Sequence, residues 1–192
     1  PLPFDPEAAK SMLTEAGYSD GFSVKLDCPN DRYINDAKIA EVIAQMLTRA
    51  GIDTKVVTMP KSVYFRRASK GGKDGLPEFS FVLVGWGAGS GEASSPLKSL
   101  LTTHDKSKGF GASNRGRFSK ADVDGKVVEA LATVDDEKRA KLLGDATDLA
   151  IGKYQGIIPL HYQVNTWATR PGLKYRPRTD ERTIAMDVLK SK

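Results

Sequence analysis

One cysteine, two histidines and no apolar run of membrane-spanning length narrow the chemistry open to this chain before any motif is read. A lone Cys28 excludes an intrachain disulfide and every multi-cysteine metal site. A single thiol at the end of an apolar strand is expected to be a small buried hydrophobe, which leaves the redox compartment open. His104 and His161 lie far apart and outside any HExxH pattern, so no metal site and no metal cofactor is expected. His104 reads as a loop surface position and His161 as a strand position. The longest apolar-rich stretch, Phe79 to Trp86, is far shorter than the ~18 residues of a membrane span. The amino terminus, Pro1-Leu2-Pro3-Phe4-Asp5-Pro6, has neither the basic n-region nor the apolar h-region of a signal peptide. Its proline-rich, linker-like start favours a piece of a longer precursor over a cytosolic protein.

Charge of one sign is also missing in block form. The net charge is +5, but Arg66-Arg67, Arg115, Arg117, Lys138-Arg139, Arg176 and Arg178 are scattered with acids between them. A nucleic-acid module concentrates its charge on one face among stacking aromatics. The pattern here predicts a solvated basic surface and no nucleic-acid partner. What is present suits a soluble globular protein: 192 residues, long enough for one well-packed domain, with an ordinary 40% hydrophobic and 28% charged composition.

Local signals then mark the elements. Asp5-Pro6-Glu7 opens a helix with an aspartate cap and proline in the first turn; Ala9, Met12, Leu13 and Ala16 form its apolar face, and Gly17 stops it. Phe22 to Leu26 alternates like a half-buried strand, followed by a polar loop from Pro29 to Tyr33. A helix with Ile39, Val42, Ile43, Met46, Leu47 and Ala50 on one face ends at Gly51. Ile52 to Met59 is a β-branched strand, and Pro60 opens a short helix with Val63, Tyr64, Phe65 and Ala68. Phe79 to Val84 reads as an apolar strand buried on both faces. Beyond it, the residues from Gly85 to Ser95 are mostly glycine and serine, Pro96 to Leu101 forms a short helix, and Lys106 to Ser119 is irregular. Two helices follow, one carrying Val123, Val127, Ala130, Leu131 and Val134, the other Leu142, Ala146, Leu149 and Ala150 behind an Asp135 cap. Ile157 to Ala168 is extended chain, and the tail from Pro171 is irregular with a final strand. There is no internal repeat and no evident second domain. The alternation of helices and strands in the first half predicts one α/β sheet domain.

Catalytic constellations are absent from the sequence, and no catalytic residue is assigned. The run Gly85-Trp86-Gly87-Ala88-Gly89-Ser90-Gly91 contains neither a GxGxxG nor a P-loop register. Ser95-Pro96-Leu97-Lys98 matches SxxK, the pattern of penicillin-recognising serine enzymes, but without SDN or KTG. A serine hydrolase using Ser95 and Lys98 is therefore the weaker rival reading, and a protein-interaction domain using the basic surface is a third.

The segment from Phe79 to Glu92 is the most informative for ligands. A strand delivers Trp86 to its carboxyl end, where ligands lie in open α/β sheets. Gly87, Ala88, Gly89 and Ser90 then leave the backbone open to a ligand. Trp86 supplies either a rigid apolar wall with one indole donor or a piece of the core. If the strands run parallel, the loop holding Asn30, Arg32 and Tyr33 emerges at the same sheet edge, with Arg32 able to meet a carboxylate two-pronged. Its alternative is an ordinary exposed arginine.

The order of these motifs resembles a known family. Asp5-Pro6-Glu7-Ala8-Ala9-Lys10, Leu13, Glu15-Ala16-Gly17-Tyr18 and Asp20-Gly21-Phe22 are similar to the helix and turn that enter the last lobe of family-5 solute-binding proteins, the peptide-, opine- and nickel-binding type. Asp31-Arg32-Tyr33, Ala50-Gly51-Ile52, Val84-Gly85-Trp86-Gly87-Ala88, Arg117-Phe118-Ser119 and Ile158-Pro159-Leu160 with Tyr162 follow in the family's order. The resemblance implies a periplasmic-binding-protein-like fold of two lobes around a cleft, with residues 1–192 as the carboxy-terminal lobe, a mixed sheet flanked by helices. It further implies capture of a peptide-like or other small solute and its delivery to an ABC permease. Location in the periplasm, or on a lipid anchor outside the cell, and contact with the remaining lobe of the parent chain follow as well. Such a protein is no enzyme. In peptide-binding relatives an aspartate three residues after the strand-end tryptophan anchors the ligand amine; here that position is Gly89, and the later aspartate-proline is Glu92-Ala93. An amine anchor then comes from Glu92 or elsewhere, or the ligand has no free amine.

Overall fold

The computed structural model describes residues 4–178, 180 and 182–191, so the first three residues of the linker-like start lie outside it. The chain divides into two units where the sequence suggested a single domain. The first holds the described residues up to Gly85 together with Arg115–Arg117; the second holds Trp86–Asn114 and the described residues from Phe118 onward.

In the first unit, α1 (Pro6–Glu15) starts where the Asp5 carboxylate accepts the Ala8 N–H at 2.9 Å. Its expected apolar face is only partly covered among the described residues: Ala9 and Leu13 are half-buried, Met12 is exposed, and no residue of the helix is fully buried. β1 (Phe22–Pro29) extends past the expected end at Leu26, because Asp27 has sheet partners on both sides and Cys28 pairs with Thr58. It pairs parallel with β2 (Ile52–Met59), in register from Phe22 against Ile52 to Pro29 against Met59. Gly21 is required at the start of this pair, since a Cβ there, at φ +70°, would overlap the Gly51 carbonyl.

On the other edge of β1, Asp27 donates its N–H to Phe81 and accepts from the Leu83 N–H, both at 3.0 Å. This single parallel bridge to Val82 is all that forms of the expected Phe79–Val84 strand. The segment has one neighbour among the described residues, so only Phe79 and Leu83 are buried, and Ser80 faces solvent. Helices cover both faces of the sheet. α2 (Asp36–Arg49) packs Ala40 against Leu26, Cys28 and Leu83, with Ile39 and Ile43 alongside. Its buried stripe is Asp36, Ala40 and Ala44; Val42 and Met46, expected inside, are exposed, because the small alanines let the helix approach the sheet closely. α3 (Lys61–Lys70) buries Tyr64 and Ala68 with Met59 and Phe79 on the opposite face.

The second unit is helical. α4 (Ser94–Leu100), α5 (Ala121–Ala132) and α6 (Asp136–Thr147), which runs on as a π-type turn to Lys153, enclose a core of Leu97, Leu101, Val123, Val127, Ala130, Leu142, Leu143, Ala146 and Ala150. Asp135 caps α6 as expected, accepting the Lys138 N–H at 2.7 Å. Leu131 and Val134, expected on the core face of α5, are exposed. The buried Asn114 ties the loop before α5: its amide donates to the Thr102 and Phe118 carbonyls and its oxygen accepts the Phe118 N–H. Residues 157–168 form no ladder with any described residue, so His161 sits on exposed extended chain and not in a strand. Here Ile158, Leu160, Tyr162 and Val164 alternate with Pro159, His161 and Gln163 and are exposed, Tyr162 fully so. β3 (Leu173–Tyr175) and β4 (Val188–Lys190) close an antiparallel pair, stabilised by Trp167 stacked 5.3 Å from Tyr175. Among the described residues, parallel and antiparallel pairing thus occupy two separate sheets where one mixed sheet was expected.

Candidate functional site

The expected site residues fall into two groups, one in each unit. In the first unit, the loop after β1 is held by two aspartates, Asp31 of the expected polar loop and Asp36, which the sequence did not single out. The buried Asp36 at the start of α2 accepts the N–H groups of Arg32 and Tyr33, both at 3.0 Å, and of Ala37 at 2.9 Å. Asp31 accepts the Lys61 N–H at 2.6 Å, where α3 opens. Asn30 completes the anchoring through its N–H to the Met59 carbonyl at 3.0 Å, with its side chain exposed. An aspartate at or just before a helix start is the signal that would have found Asp36.

This frame brings Arg32 and Tyr33 together. The exposed Arg32 guanidinium lies 5.0 Å from the Tyr33 ring centre. The Tyr33 hydroxyl donates to the Gly85 carbonyl at 3.2 Å, which places the loop beside the carboxyl end of the Phe79–Val84 segment. Parallel pairing on both edges of β1 is what brings these chain ends to one side. Gly85 makes room for the ring: a Cβ there would lie 2.7 Å from Tyr33 Cε1. Deeper in, the buried Tyr64 hydroxyl donates to the Leu83 carbonyl at 2.8 Å, and burial raises its pKa well above the usual phenol value. Burial, with a smaller contribution from the Asp36 charge, pushes the Cys28 thiol up to about 12, so it remains a protonated, inert hydrophobe.

In the second unit, Trp86 is 42% exposed, and its indole N–H has no hydrogen-bond partner among the described residues. A Cβ on Gly87 or Gly89 would meet nothing within 4 Å among the described residues, so packing against those residues does not explain glycine at either position. The Ala88 carbonyl accepts the Gly91 N–H at 2.8 Å in a turn made at Gly91 φ +72°, with Ser90 exposed at its tip.

Glu92 does not fit the role of a free amine anchor. Arg139 grips both of its oxygens, Nε on Oε1 and Nη2 on Oε2 at 2.9 Å, and the Ser94 hydroxyl adds a bond of 2.6 Å. Arg139, then Ser94, hold the Glu92 carboxyl at about 2, well below the ordinary range. Arg139 also donates to the Ala130 carbonyl at the end of α5, so the pair ties the glycine-rich segment to the helical core.

The rival chemistry gains nothing. Ser95 is exposed and shares no hydrogen bond with Lys98, whose ammonium instead sits 5.0 Å from the Phe110 ring centre. His104 is an exposed loop residue as expected, its Nδ1 3.0 Å from the Gly111 carbonyl. Among the described residues no three His, Cys, Asp or Glu side chains group to hold a metal ion, and no helix is long and apolar enough to cross a membrane.

Comparison with known proteins agrees with the order of motifs. Residues 1–108 match the family model described as bacterial extracellular solute-binding proteins, family 5 Middle. Heme-binding protein A of Haemophilus influenzae is 29% identical over 180 residues, covering 90% of this chain and 30% of that protein. The glutathione-binding protein GsiB of Salmonella paratyphi A is 31% identical over 163 residues, 83% of this chain and 30% of its own length. Among solved structures, the PBP/SBP MoaA from A. tumefacien R10, in complex with mannopinic acid, superposes with a TM-score of 0.79 at 17% identity, over 98% of this chain and 37% of that one. That likeness shows a shared fold. The chain spans about a third of the length of each of these proteins.

Proposed function

Because the chain belongs to the bacterial extracellular solute-binding proteins of family 5, we propose that it is the carboxy-terminal, ligand-binding lobe of an ABC importer's receptor. In this reading the whole protein works outside the cytoplasmic membrane, in the periplasm or on a lipid anchor. It captures a small solute between this lobe and a preceding one and hands it to a membrane permease, without transforming it.

One observation carries the reading: a half-exposed tryptophan whose indole N–H has no partner among the described residues, followed at once by glycines whose missing side chains would meet none of them. Such a wall, with bare backbone beside it, can cover a ligand's apolar surface and offer N–H and C=O groups around its rim. In the first unit, Asn30, Arg32 and Tyr33 are proposed as polar contacts. Gly89 offers no carboxylate, and Glu92 is bonded to Arg139 and Ser94, so the ligand is one whose recognition does not require an ammonium group at this position. Heme-binding protein A and the glutathione-binding proteins are the relatives whose names bound the range of solutes to try.

The test is a thermal-shift screen of the whole protein as its gene encodes it, against free and N-acetylated dipeptides, glutathione and haem, followed by calorimetry. At least one solute should raise Tm by several degrees and be recovered unchanged, with N-acetylation of a peptide costing little. Conversion of the solute to product, or stabilisation by none of them, would overturn the proposal.

A further inference from the structure

Arg115 is grouped with the first unit although the chain on either side of Arg115–Arg117 belongs to the second. Its guanidinium lies 5.7 Å from the centre of the Phe65 ring, in the middle of α3. Phe65 meets Tyr64 edge to face, with ring centres 5.0 Å apart, and the Arg115 charge acts on the Tyr64 hydroxyl. Tyr64 and Tyr33 donate to the carbonyls of Leu83 and Gly85, so Arg115 stands by the carboxyl end of the sheet. α2 and α3 also begin at that end, since β1 and β2 run directly into the loops that start them, and helix N-termini favour negative charge nearby.

The donors of Arg115 are unspent. Its Nε is buried with no hydrogen-bond partner, and neither terminal nitrogen has a hydrogen bond or ion pair among the described residues. A guanidinium carries five N–H donors in a planar fork. Stacking on Phe65 satisfies its face and none of its edge, and a buried donor without an acceptor opposes folding. Two carboxylates at this end of the sheet are already committed: Asp31 to the Lys61 N–H and Asp36 to three backbone N–H groups. A planar fork with an unsatisfied edge at a sheet's carboxyl end matches the geometry of a carboxylate or phosphate.

We propose that Arg115 is an anion-recognition residue, whose guanidinium receives an oxyanion of the bound solute, a carboxylate or a phosphate, at the carboxyl end of the first unit's sheet. The proposal deepens the solute-receptor reading and rests on it: the cargo is an acidic solute, held by its anion instead of by an ammonium group.

The experiment follows arginine Nε–H signals in the nitrogen-15 spectrum of the whole protein. Sodium acetate is titrated in one arm and inorganic phosphate in another, with sodium chloride at matched ionic strength as the control. The Arg115 signal is assigned by its disappearance in Arg115→Lys, with Arg115→Gln as the second variant if the first folds poorly. The Arg115 signal is expected to move along a saturating curve at anion concentrations at least tenfold below those that move the exposed Arg32 and Arg66, and to ignore chloride. Tighter response to acetate assigns a carboxylate, and tighter response to phosphate assigns a phosphate ester. An Arg115 signal that stays still, or drifts linearly with the other arginines, overturns the proposal. The two readings fail separately: solutes that bind while Arg115 stays silent remove the anion site alone. Saturable response at Arg115 with no solute bound in the thermal-shift screen leaves the anion site standing and removes the receptor.

Discussion

Replacing Trp86 with alanine separates a ligand wall from core filling, and the structure sets the size of each effect. The side chain is 42% exposed. Of the ~250 Å² that a tryptophan can bury, about 100 Å² is therefore open to a ligand. At roughly 25 cal/mol per Å², complete cover of that area contributes at most about 2.5 kcal/mol, and partial cover about 1 kcal/mol. Trp86→Ala should thus weaken solute binding by roughly 5- to 70-fold in calorimetry on the whole protein. The buried remainder of the ring also stabilises the fold, so the unliganded protein should lose about 1–3 kcal/mol in chemical denaturation. That is less than the ~3–5 kcal/mol of emptying a true core site, because the space left is open to water. Fluorescence offers an independent reading as a difference spectrum against Trp86→Ala, and in these 192 residues Trp167 is the one other tryptophan. With Trp167 replaced by phenylalanine, ligand should shift Trp86 emission to the blue as water leaves the ring. Unchanged affinity and emission, with a stability loss of core size, would refute the wall.

Other expectations follow from single contacts. Gly85→Ala drives a Cβ into the Tyr33 ring and should cost about 1–3 kcal/mol in urea denaturation, while Gly87→Ala and Gly89→Ala should change stability by less than about 0.5 kcal/mol yet lower ligand affinity. Glu92 is depressed to about 2 from 4.5, so its contribution is whole above about pH 4.5 and is lost as pH falls towards 2. Glu92→Gln should be less stable than the parent at pH 7, and the gap should close over that acid range; a gap independent of pH would reject the ion pair as its cause. In this chain by itself, the non-proline amides of residues 157–168 should exchange with solvent far faster than those of β1, β2 and α5, and slow exchange there would reveal pairing that the described residues lack.

Short-range chemistry made much of this architecture legible. Asp5 and Asp135 cap the helices they were read to cap, and β2 has the bounds expected from its β-branched run. The α/β class follows from the same local signals. Periodicity was less informative in α2, where apolar residues surround more than one stripe and the alanines, not Val42 and Met46, meet the sheet. Burial along Phe79–Val84 was also overestimated, because an apolar run carries no information on how many neighbours it will have. The exposure of Trp86 left open by the sequence is settled at about two-fifths, while its role with ligand is a proposal.

What the sequence determined by itself are features decided within a few residues: caps, glycine stops, strand-forming runs, and an order of motifs that marks the family. Tertiary structure alone decided how the charges are spent. Glu92 was one candidate anchor until folding set it against Arg139, 47 residues away, while Asp36 accepted three N–H groups and Arg115 was left on Phe65 with no acceptor among the described residues. A charged group's role depends on which opposite charges and donors reach it in space and how much water remains around it. Neither quantity is local in the chain, so no spacing of residues could have recorded it.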